Sequence, residues 1–311
     1  MRVHSITHAA EGILYFDVRS LDGQSLPTFD PGAHVSLHLP GGLVRSYSLM
    51  NRPCDHGRYL LGIKREPQSK GGSAWMHDVA RVGTTLEVGP PLNHFALATG
   101  ATHSVLIAGG IGITPLWSMV QQLEGSGASW ELHYRARSRS SAALLEELGM
   151  PSLRDRVHLS FSDDPSSGRL DIAQVVGRAP NGTHLYCCGP TSMVDTFQGA
   201  CASKNPENVH FEYFASKEAP ATEGGFTVRL AKSGTSVPVS SGQTILDSLK
   251  ACGVSVPSSC QQGVCGACET RVLAGKPDHR DLVLSDAEKE AGLTMIICCS
   301  GSLTDVLELD L

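Results

Sequence analysis

From Arg2 to about Leu97, apolar and polar positions alternate in short runs: Ile13-Leu14-Tyr15-Phe16-Asp17-Val18, Val35-Ser36-Leu37-His38-Leu39 and Tyr59-Leu60-Leu61-Gly62-Ile63. A period of two puts successive side chains on opposite faces of a strand. Asp22-Gly23, Pro31-Gly32 and Pro40-Gly41-Gly42 punctuate the runs as turns do. Residues 1–98 are therefore expected to form one antiparallel β-barrel or sandwich. From about Thr102 the pattern changes to apolar strands alternating with amphipathic stretches: Ser104 to Ala108, a helix after Thr114, Trp130 to Tyr134, a helix from Ser141 to Leu148, and Val157 to Phe161. Alternation of this kind requires crossover connections, so residues 99–215 are expected to form an α/β domain with a mainly parallel sheet. Residues 216–223 are polar and aperiodic, with the composition of a linker, and residues 224–311 make a third, small domain.

Composition supports folded domains over disorder, with 33 glycines and 17 prolines among 311 residues and 41% hydrophobic content. A net charge of −6 argues against a duplex nucleic-acid partner. The most apolar window, Val105 to Val120, is interrupted by Gly109, Gly110, Gly112 and Pro115 and is too short for a bilayer span. The first residues run straight into a strand pattern without the apolar core of a signal peptide, so a cytoplasmic location is expected. In a reducing compartment, ten cysteines are expected as thiols or ligands rather than disulfides.

Three of those cysteines crowd one segment, Cys260-Gln261-Gln262-Gly263-Val264-Cys265-Gly266-Ala267-Cys268, and Cys298 follows after 29 intervening residues. This is the C-x₄-C-x₂-C…C spacing of plant-type [2Fe–2S] clusters. Two irons bridged by two sulfides need four thiolates, converging here from one loop and one remote strand. Gly263 and Gly266 suit a loop that wraps closely and turns N–H groups toward sulfur. A structural zinc site would normally pair its cysteines in two separate knuckles. Cys299, adjacent to Cys298, is the alternative fourth ligand.

In the α/β segment, the strand ending Ala108 leads into Gly109-Gly110-Ile111-Gly112-Ile113-Thr114-Pro115, a glycine turn with proline at a helix start. A dinucleotide pyrophosphate can approach glycine closely and bind the free N–H groups of the helix terminus. A second strand-to-helix turn, Cys187-Cys188-Gly189-Pro190, should border the same crevice at the carboxyl ends of the strands, with Cys188 beside a nicotinamide. Cys252, near the end of an apparent helix, reads as core, Cys187 reads equally as strand-end core, and Cys54 and Cys201 carry no functional expectation. In the first domain, Arg45, Tyr47 and Ser48 put a cation, a ring and a hydroxyl on one strand, expected to face one side as a flavin would require. The stretch from Lys64 through Gly71, Gly72 and Ser73 has the glycines and hydroxyl of a phosphate-binding helix start.

The order Arg-x-Tyr-Ser, Gly-Gly-Ser, Gly-Gly-Ile-Gly-Ile-Thr-Pro, Cys-Gly-Pro and C-terminal Cys-x₄-Cys-x₂-Cys resembles the phthalate dioxygenase reductase family, which includes the reductase components of vanillate O-demethylases. The resemblance spans essentially the full chain and includes Asp278-His279-Arg280-Asp281. It implies a multidomain α/β and β fold: a ferredoxin-reductase-type antiparallel β-barrel that binds FMN, an α/β nucleotide-binding domain with a parallel sheet, and a C-terminal β-grasp plant-type ferredoxin domain. By position it implies that Arg45, Tyr47, Ser48, Gly72 and Ser73 contact FMN, that Gly110, Thr114 and Cys188 line the nicotinamide crevice, and that Phe214 closes over the flavin. It also aligns Cys298 as the fourth cluster ligand.

The implied activity is a relay from NADH through FMN and the cluster to a Rieske-type oxygenase, with no side chain required as general acid or base. The cluster loop is then expected near the surface, with a small transient interface and a monomeric chain. Residues 224–311 carry seven Lys plus Arg against ten Asp plus Glu, which predicts only mild electrostatic steering of the oxygenase. An electron acceptor other than an aromatic-ring oxygenase, or a non-catalytic iron–sulfur sensor, are the alternatives. Arg135, Arg137 and Arg139 would either meet the 2′-phosphate of NADPH or form a solvated loop, and the second is favoured.

Overall fold

A computed structural model of the chain describes all residues except Gln68, Lys70 and those at 215–217. The end of the expected α/β domain at residue 215 and the first two linker positions, 216 and 217, lie outside the described residues. The chain divides into two compact units, Met1–Phe214 and Ala215–Leu311.

The first unit begins with β1 (Arg2–Ala10), β2 (Ile13–Arg19), β3 (His34–Leu39), β4 (Leu43–Ser48), β5 (Tyr59–Lys64), α1 (Gly72–Asp78) and β6 (Glu87–Val88). Its strands form two three-stranded antiparallel sheets, β1-β2-β5 and β4-β3-β6. Bridges between Leu49 and Leu61 and between Arg2 and Thr85 join the sheets at both margins, which closes a six-stranded barrel without free edges. Phe16, Val35, Leu37, Leu61 and Ile63, inward members of the alternating runs, fill it.

The same unit continues with β7 (Ser104–Gly109), α2 (Ile113–Ser126), β8 (Trp130–Ala136), α3 (Leu145–Leu148), β9 (Val157–Phe161), α4 (Ile172–Arg178), β10 (His184–Gly189), α5 (Thr191–Ala200) and β11 (Val209–Tyr213). The five strands form a parallel sheet in the order β11-β10-β7-β8-β9. Central β7 is buried along its whole length, which explains its unbroken apolar run. Helix α2 buries Ile113, Leu116, Met119, Val120 and Leu123 and stops at Gly127, whose φ of 67° makes the left-handed cap. The helix expected from Ser141 is shorter than the pattern suggested and covers only Leu145–Leu148. Ser138 and Ser141 explain the loss: their hydroxyls take each other's backbone N–H groups, at 3.0 and 3.2 Å, in place of a helical turn.

Barrel and sheet share one apolar core, in which Ala10, Ile13, Met50 and Phe95 pack with Leu106, Leu116, Met119 and Tyr186. Polar contacts reinforce it: Gln121 Nε2 donates to Met50 O at 2.7 Å, and Ala98 N to the Tyr186 hydroxyl at 2.9 Å. The two segments that the sequence pattern separates at residue 98 thus form one compact unit.

The second unit holds β12 (Phe226–Leu230), β13 (Ser236–Val239), α6 (Ile245–Ala251), β14 (Glu269–Ala274), β15 (Pro277–Asp278), α7 (Asp286–Ala291), β16 (Thr294–Ile296), β17 (Gly301–Ser302) and β18 (Val306–Leu309). The main sheet runs β13-β12-β18-β14-β16, with β12 and β18 parallel at its centre, and β15 pairs with β17 apart from it. Helix α6 starts at a Thr244–Asp247 capping box and lays Ile245, Leu246 and Leu249 on the core. The described part of the expected linker is not free chain: Ala221 is buried, and its N–H donates to Cys299 O at 2.7 Å.

Gly32 fixes one join in the first unit. Its φ is +93°, and a Cβ there would stand 1.9 Å from the Phe95 carbonyl oxygen. Replacement by alanine is expected to destabilise this unit by about 2 kcal/mol or more. The measurement is the urea midpoint of its unfolding transition, and a wild-type midpoint would show that the join yields without cost.

Candidate functional site

Three constellations emerge, two in the first unit and one in the second. At the carboxyl ends of β7 and β10 the two turns expected to border one crevice abut directly. A Cβ on Gly112 would lie 2.2 Å from Cys188 O, and one on Gly109 would lie 2.6 Å from Pro190 Cδ and 2.7 Å from Met193 Sδ. A Cβ on Gly189 would likewise lie 2.9 Å from Met193 Sδ and 3.0 Å from Gly109 Cα. These glycines serve backbone packing. Gly110 differs, because at φ +53° its Cβ position is open.

Gly109, Gly110 and Pro190 line a crevice of about 900 Å³ whose walls also include Lys64, Arg135, Arg137 and Arg169. Lys64 thus stands at this crevice rather than only beside the barrel motif, and it also pairs with Glu66 at 3.3 Å. The solvated loop favoured for the three arginines is only partly what forms. Arg135 and Arg137 face the crevice, whereas the Arg139 guanidinium lies 4.9 Å over the Phe161 ring. Arg169 and Met193 escaped the sequence reading. Met193 could have been found from its place just after Cys-Gly-Pro, but Arg169 sits in a loop that carries no pattern.

Three residues expected at the crevice are turned into the core instead. Thr114 is buried, its hydroxyl donates to Ile111 O at 2.9 Å, and its methyl would stand 2.7 Å from a Cβ on Gly62. Pro115 is buried in the first turn of α2. The Cys188 side chain is 0% exposed, with Sγ 4.0 Å from Glu212 Oε2. Burial first, and then the Glu212 carboxylate, push this thiol well above its usual pKa, so it is a neutral S–H at physiological pH. Phe214, just past β11, is partly buried against the shared core.

On the barrel, Arg45 and Tyr47 share one face of β4. Ser48 does not join them: it directly follows Tyr47, falls on the other side of the alternation and is only 6% exposed. The Gly71–Gly72 turn meets this strand from above. A Cβ on Gly72 would stand 2.5 Å from Arg45 Cγ, and one on Gly71 2.8 Å from Leu43 Cδ1. Helix α1 therefore starts against the arginine. The Ser73 hydroxyl is engaged locally, accepting from Glu66 N at 3.1 Å and lying 3.0 Å from Ser69 Oγ. Burial raises the Tyr47 phenol to about 12, so its ring stands neutral in an apolar setting.

In the second unit Cys260, Cys265, Cys268 and Cys298 are all buried. The thiols of Cys265 and Cys298 are both hydrogen-bonding neighbours of Cys260. Gln262 N donates to Cys260 Sγ at 3.3 Å and Cys260 N to Cys265 Sγ at 3.4 Å. The loop folds through left-handed residues at Gln261 (φ 55°), Gly263 (φ 69°) and Gly266 (φ 72°), which turn its N–H groups inward. A tetrahedral zinc site would need sulfurs about 3.8 Å apart, from Zn–S near 2.3 Å. The one described set of three or more ligand atoms lying mutually within 4.8 Å contains no cysteine, so this spread suits a two-iron unit rather than a single ion.

Cys299 neighbours the Cys298 thiol and has further contacts of its own. Its Sγ lies 3.6 Å from Ile296 O and 3.8 Å from Ser300 Oγ, and it occupies the space 2.5 Å from where a Gly263 Cβ would be. Asp281, of the Asp-His-Arg-Asp stretch, braces the loop from behind. Its buried Oδ2 accepts from Val283 N at 3.1 Å and Leu284 N at 2.8 Å, while Leu282 N donates to Gly263 O at 2.9 Å.

The family model of the 2Fe-2S iron-sulfur cluster binding domain matches residues 228–301. The chain is 61% identical over 311 residues to the phenoxybenzoate dioxygenase subunit beta of Ectopseudomonas oleovorans, covering 100% of this chain and 97% of that one. It is 41% identical over 306 residues to a vanillate O-demethylase oxidoreductase of Pseudomonas putida, covering 97% and 96%. Among solved structures, phthalate dioxygenase reductase, a modular structure for electron transfer from pyridine nucleotides to [2Fe-2S], superimposes with a TM-score of 0.80 at 37% identity, covering 100% of this chain and 97% of that one. Identity at this level along whole chains, with the same order of barrel, parallel sheet and cysteine-bearing unit, places the chain in the phthalate dioxygenase reductase family.

Proposed function

We propose that this chain is the reductase component of a two-component Rieske oxygenase system, drawing electrons from NADH through FMN and a plant-type [2Fe–2S] cluster and delivering them to an oxygenase that acts on an aromatic compound. The observation that carries this reading is the buried four-cysteine cradle in a chain whose other unit joins two glycine turns at one crevice. When bound, flavin supplies the exchange between hydride and single electrons, and a [2Fe–2S] cluster supplies a one-electron outlet.

Each constellation has a task within that scheme. The open side of Gly110 admits a pyrophosphate, and Lys64, Arg135, Arg137 and Arg169 attract its charge. Arg45 and the Gly71–Gly72 turn hold the flavin phosphate, and Tyr47 offers an apolar ring on the same face. Cys188 acts as a positioning residue, because its backbone seats Gly112 and its thiol stays protonated. Cys260, Cys265, Cys268 and Cys298 hold the irons, with the N–H groups directed at sulfur stabilising the reduced, more negative state.

One copy of the chain carries all three constellations, which supports a monomeric reductase meeting its oxygenase transiently. Ten free cysteines suit the cytoplasm. Among the described residues, no helix is long and apolar enough to cross a membrane.

Cys298→Ser is expected to abolish the visible absorption of the cluster and NADH-driven reduction of a one-electron protein acceptor such as cytochrome c, whereas Cys299→Ser should keep both. The reverse pattern would exchange the fourth ligand. Flavin released from the purified protein should chromatograph as FMN, and kcat/KM should be higher with NADH than with NADPH. FAD in the extract, or a preference for NADPH, would correct the cofactor assignment. Gly110→Ala narrows the phosphate approach, and we expect KM for NADH to rise about tenfold, or about 1.4 kcal/mol, with flavin and cluster absorbance intact. An unchanged KM would move the pyrophosphate elsewhere.

A further inference from the structure

Outside these constellations, a third kind of donor set stands on the parallel sheet. Glu131, His133 and Arg135 alternate along the partly exposed face of β8, while Trp130, Leu132, Tyr134 and Ala136 point into the core. On the neighbouring edge strand β9, His158 stands in register opposite His133. The two imidazoles stack with centroids 4.6 Å apart and planes inclined by 23°. Glu131 reaches both rings: its Oε1 lies 3.3 Å from His133 Nε2 and its Oε2 3.9 Å from His158 Nε2. Their three ligand atoms lie within 4.8 Å of one another, a condition no other set of His, Cys, Asp or Glu meets among the described residues. His133 Nε2 is buried and has no hydrogen-bond partner, despite the carboxylate beside it.

We infer that Glu131, His133 and His158 form a binding site for one late first-row divalent cation, for which zinc is the natural probe. Two imidazole nitrogens and a carboxylate oxygen are the donors of a three-ligand zinc site that keeps water in its fourth position. Zn–N and Zn–O bonds near 2.0–2.2 Å put tetrahedral ligand atoms about 3.3 Å apart. His133 and Glu131 already stand at that spacing, and His158 Nε2 stands 3.9 Å from the second oxygen of the same carboxylate, with all three ligand atoms within 4.8 Å of one another. His158 is free to move, since its side chain is 52% exposed, against 15% for His133. A bound cation satisfies the orphaned nitrogen and ties edge strand β9 to β8. At the carboxyl ends of the same strands lie Arg135, near the end of β8, and Ser162, just past β9, whose mutual hydrogen bonds of 3.2 Å form part of the crevice wall.

The site is tested by equilibrium dialysis of the flavin- and cluster-loaded protein against micromolar zinc, followed by metal analysis. Wild type is compared with His158→Gln, Glu131→Gln and a control, His38→Gln, at an exposed barrel position. Zinc held by thiols such as exposed Cys54 and Cys252 should be common to all four proteins and cancels in the comparison. Wild type and the control are expected to retain one zinc per chain more than either site variant, and zinc should raise the melting temperature only of those two. Equal uptake by all four proteins, or no zinc retained by wild type, would overturn the inference. Because His158 lies on the surface, its loss does not disturb the core, and circular dichroism of the variant should match wild type.

Discussion

The first unit depends on one close approach of backbone to backbone, the seating of Gly112 against the Cys188 carbonyl. A methyl group there would stand 2.2 Å from that oxygen, far inside contact distance. Because the approach is allowed, adjacent parallel strands β7 and β10 can each turn into a helix at the same level, with Ala108 in register opposite Cys188. Their turns then form one wall rather than two separate lips. The helix that follows the first turn carries Thr114 against Gly62 of barrel strand β5, so the glycine at 112 indirectly fixes where the barrel rests. Glycine at these points gives the unfolded chain more conformational entropy to lose on folding, but it lets two layers share one dry core.

The second unit meets the same constraint with sulfur in place of a carbonyl. Gly263 leaves room for Cys299 Sγ beneath the cysteine loop, and the Asp281 carboxylate holds the neighbouring turn by accepting two N–H groups. The two adjacent cysteines of the turn after β16 have different neighbours. The Cys298 thiol lies beside both Cys260 and Cys299, whereas the Cys299 thiol also meets Ile296 O and Ser300. Spacing alone left these two equivalent. What separates them is the direction in which the chain delivers each side chain, a property of tertiary structure.

That difference shows where the sequence was legible. The strand Val157–Phe161 could be read to the residue from its alternating apolar positions, although buried Ser160 shows that pattern and burial do not coincide along it. The cysteine spacing was legible because it encodes the chemistry of two irons directly. The helix expected from Ser141 was not, since serine hydroxyls at 138 and 141 offer the backbone a local alternative that amphipathic pattern ignores. Nor was the common side of Arg45, Tyr47 and Ser48, where consecutive residues 47 and 48 must point apart on a regular strand. The polar stretch before residue 224 resembles a linker by composition, yet buried Ala221, the Thr222 carbonyl and the carboxylates of Glu218 and Glu223 all have partners in the second unit. Glu131, His133 and His158 were invisible for the opposite reason, because only the register of β8 and β9 brings residues so far apart in sequence face to face.

Charge shows the same gap between bulk and place. The chain as a whole carries −6, a value that suggests nothing about anion binding. At the crevice, however, Lys64, Arg135, Arg137 and Arg169 gather with Asp171 as the only acidic residue among the described lining residues. Asp171 offers little opposition there, since its Oδ1 accepts from Gln174 N at 3.0 Å as the cap of α4. Its negative charge is thereby committed to the positive end of that helix. The remaining cations face a concave wall of low polarizability, where fields are less screened than on an open surface. In the proposed reading, a pyrophosphate at Gly110 is drawn in by side chains from the barrel, from the end of β8 and from the loop before α4. No single one of these segments could make the site, which requires the packing that the Gly112 contact permits.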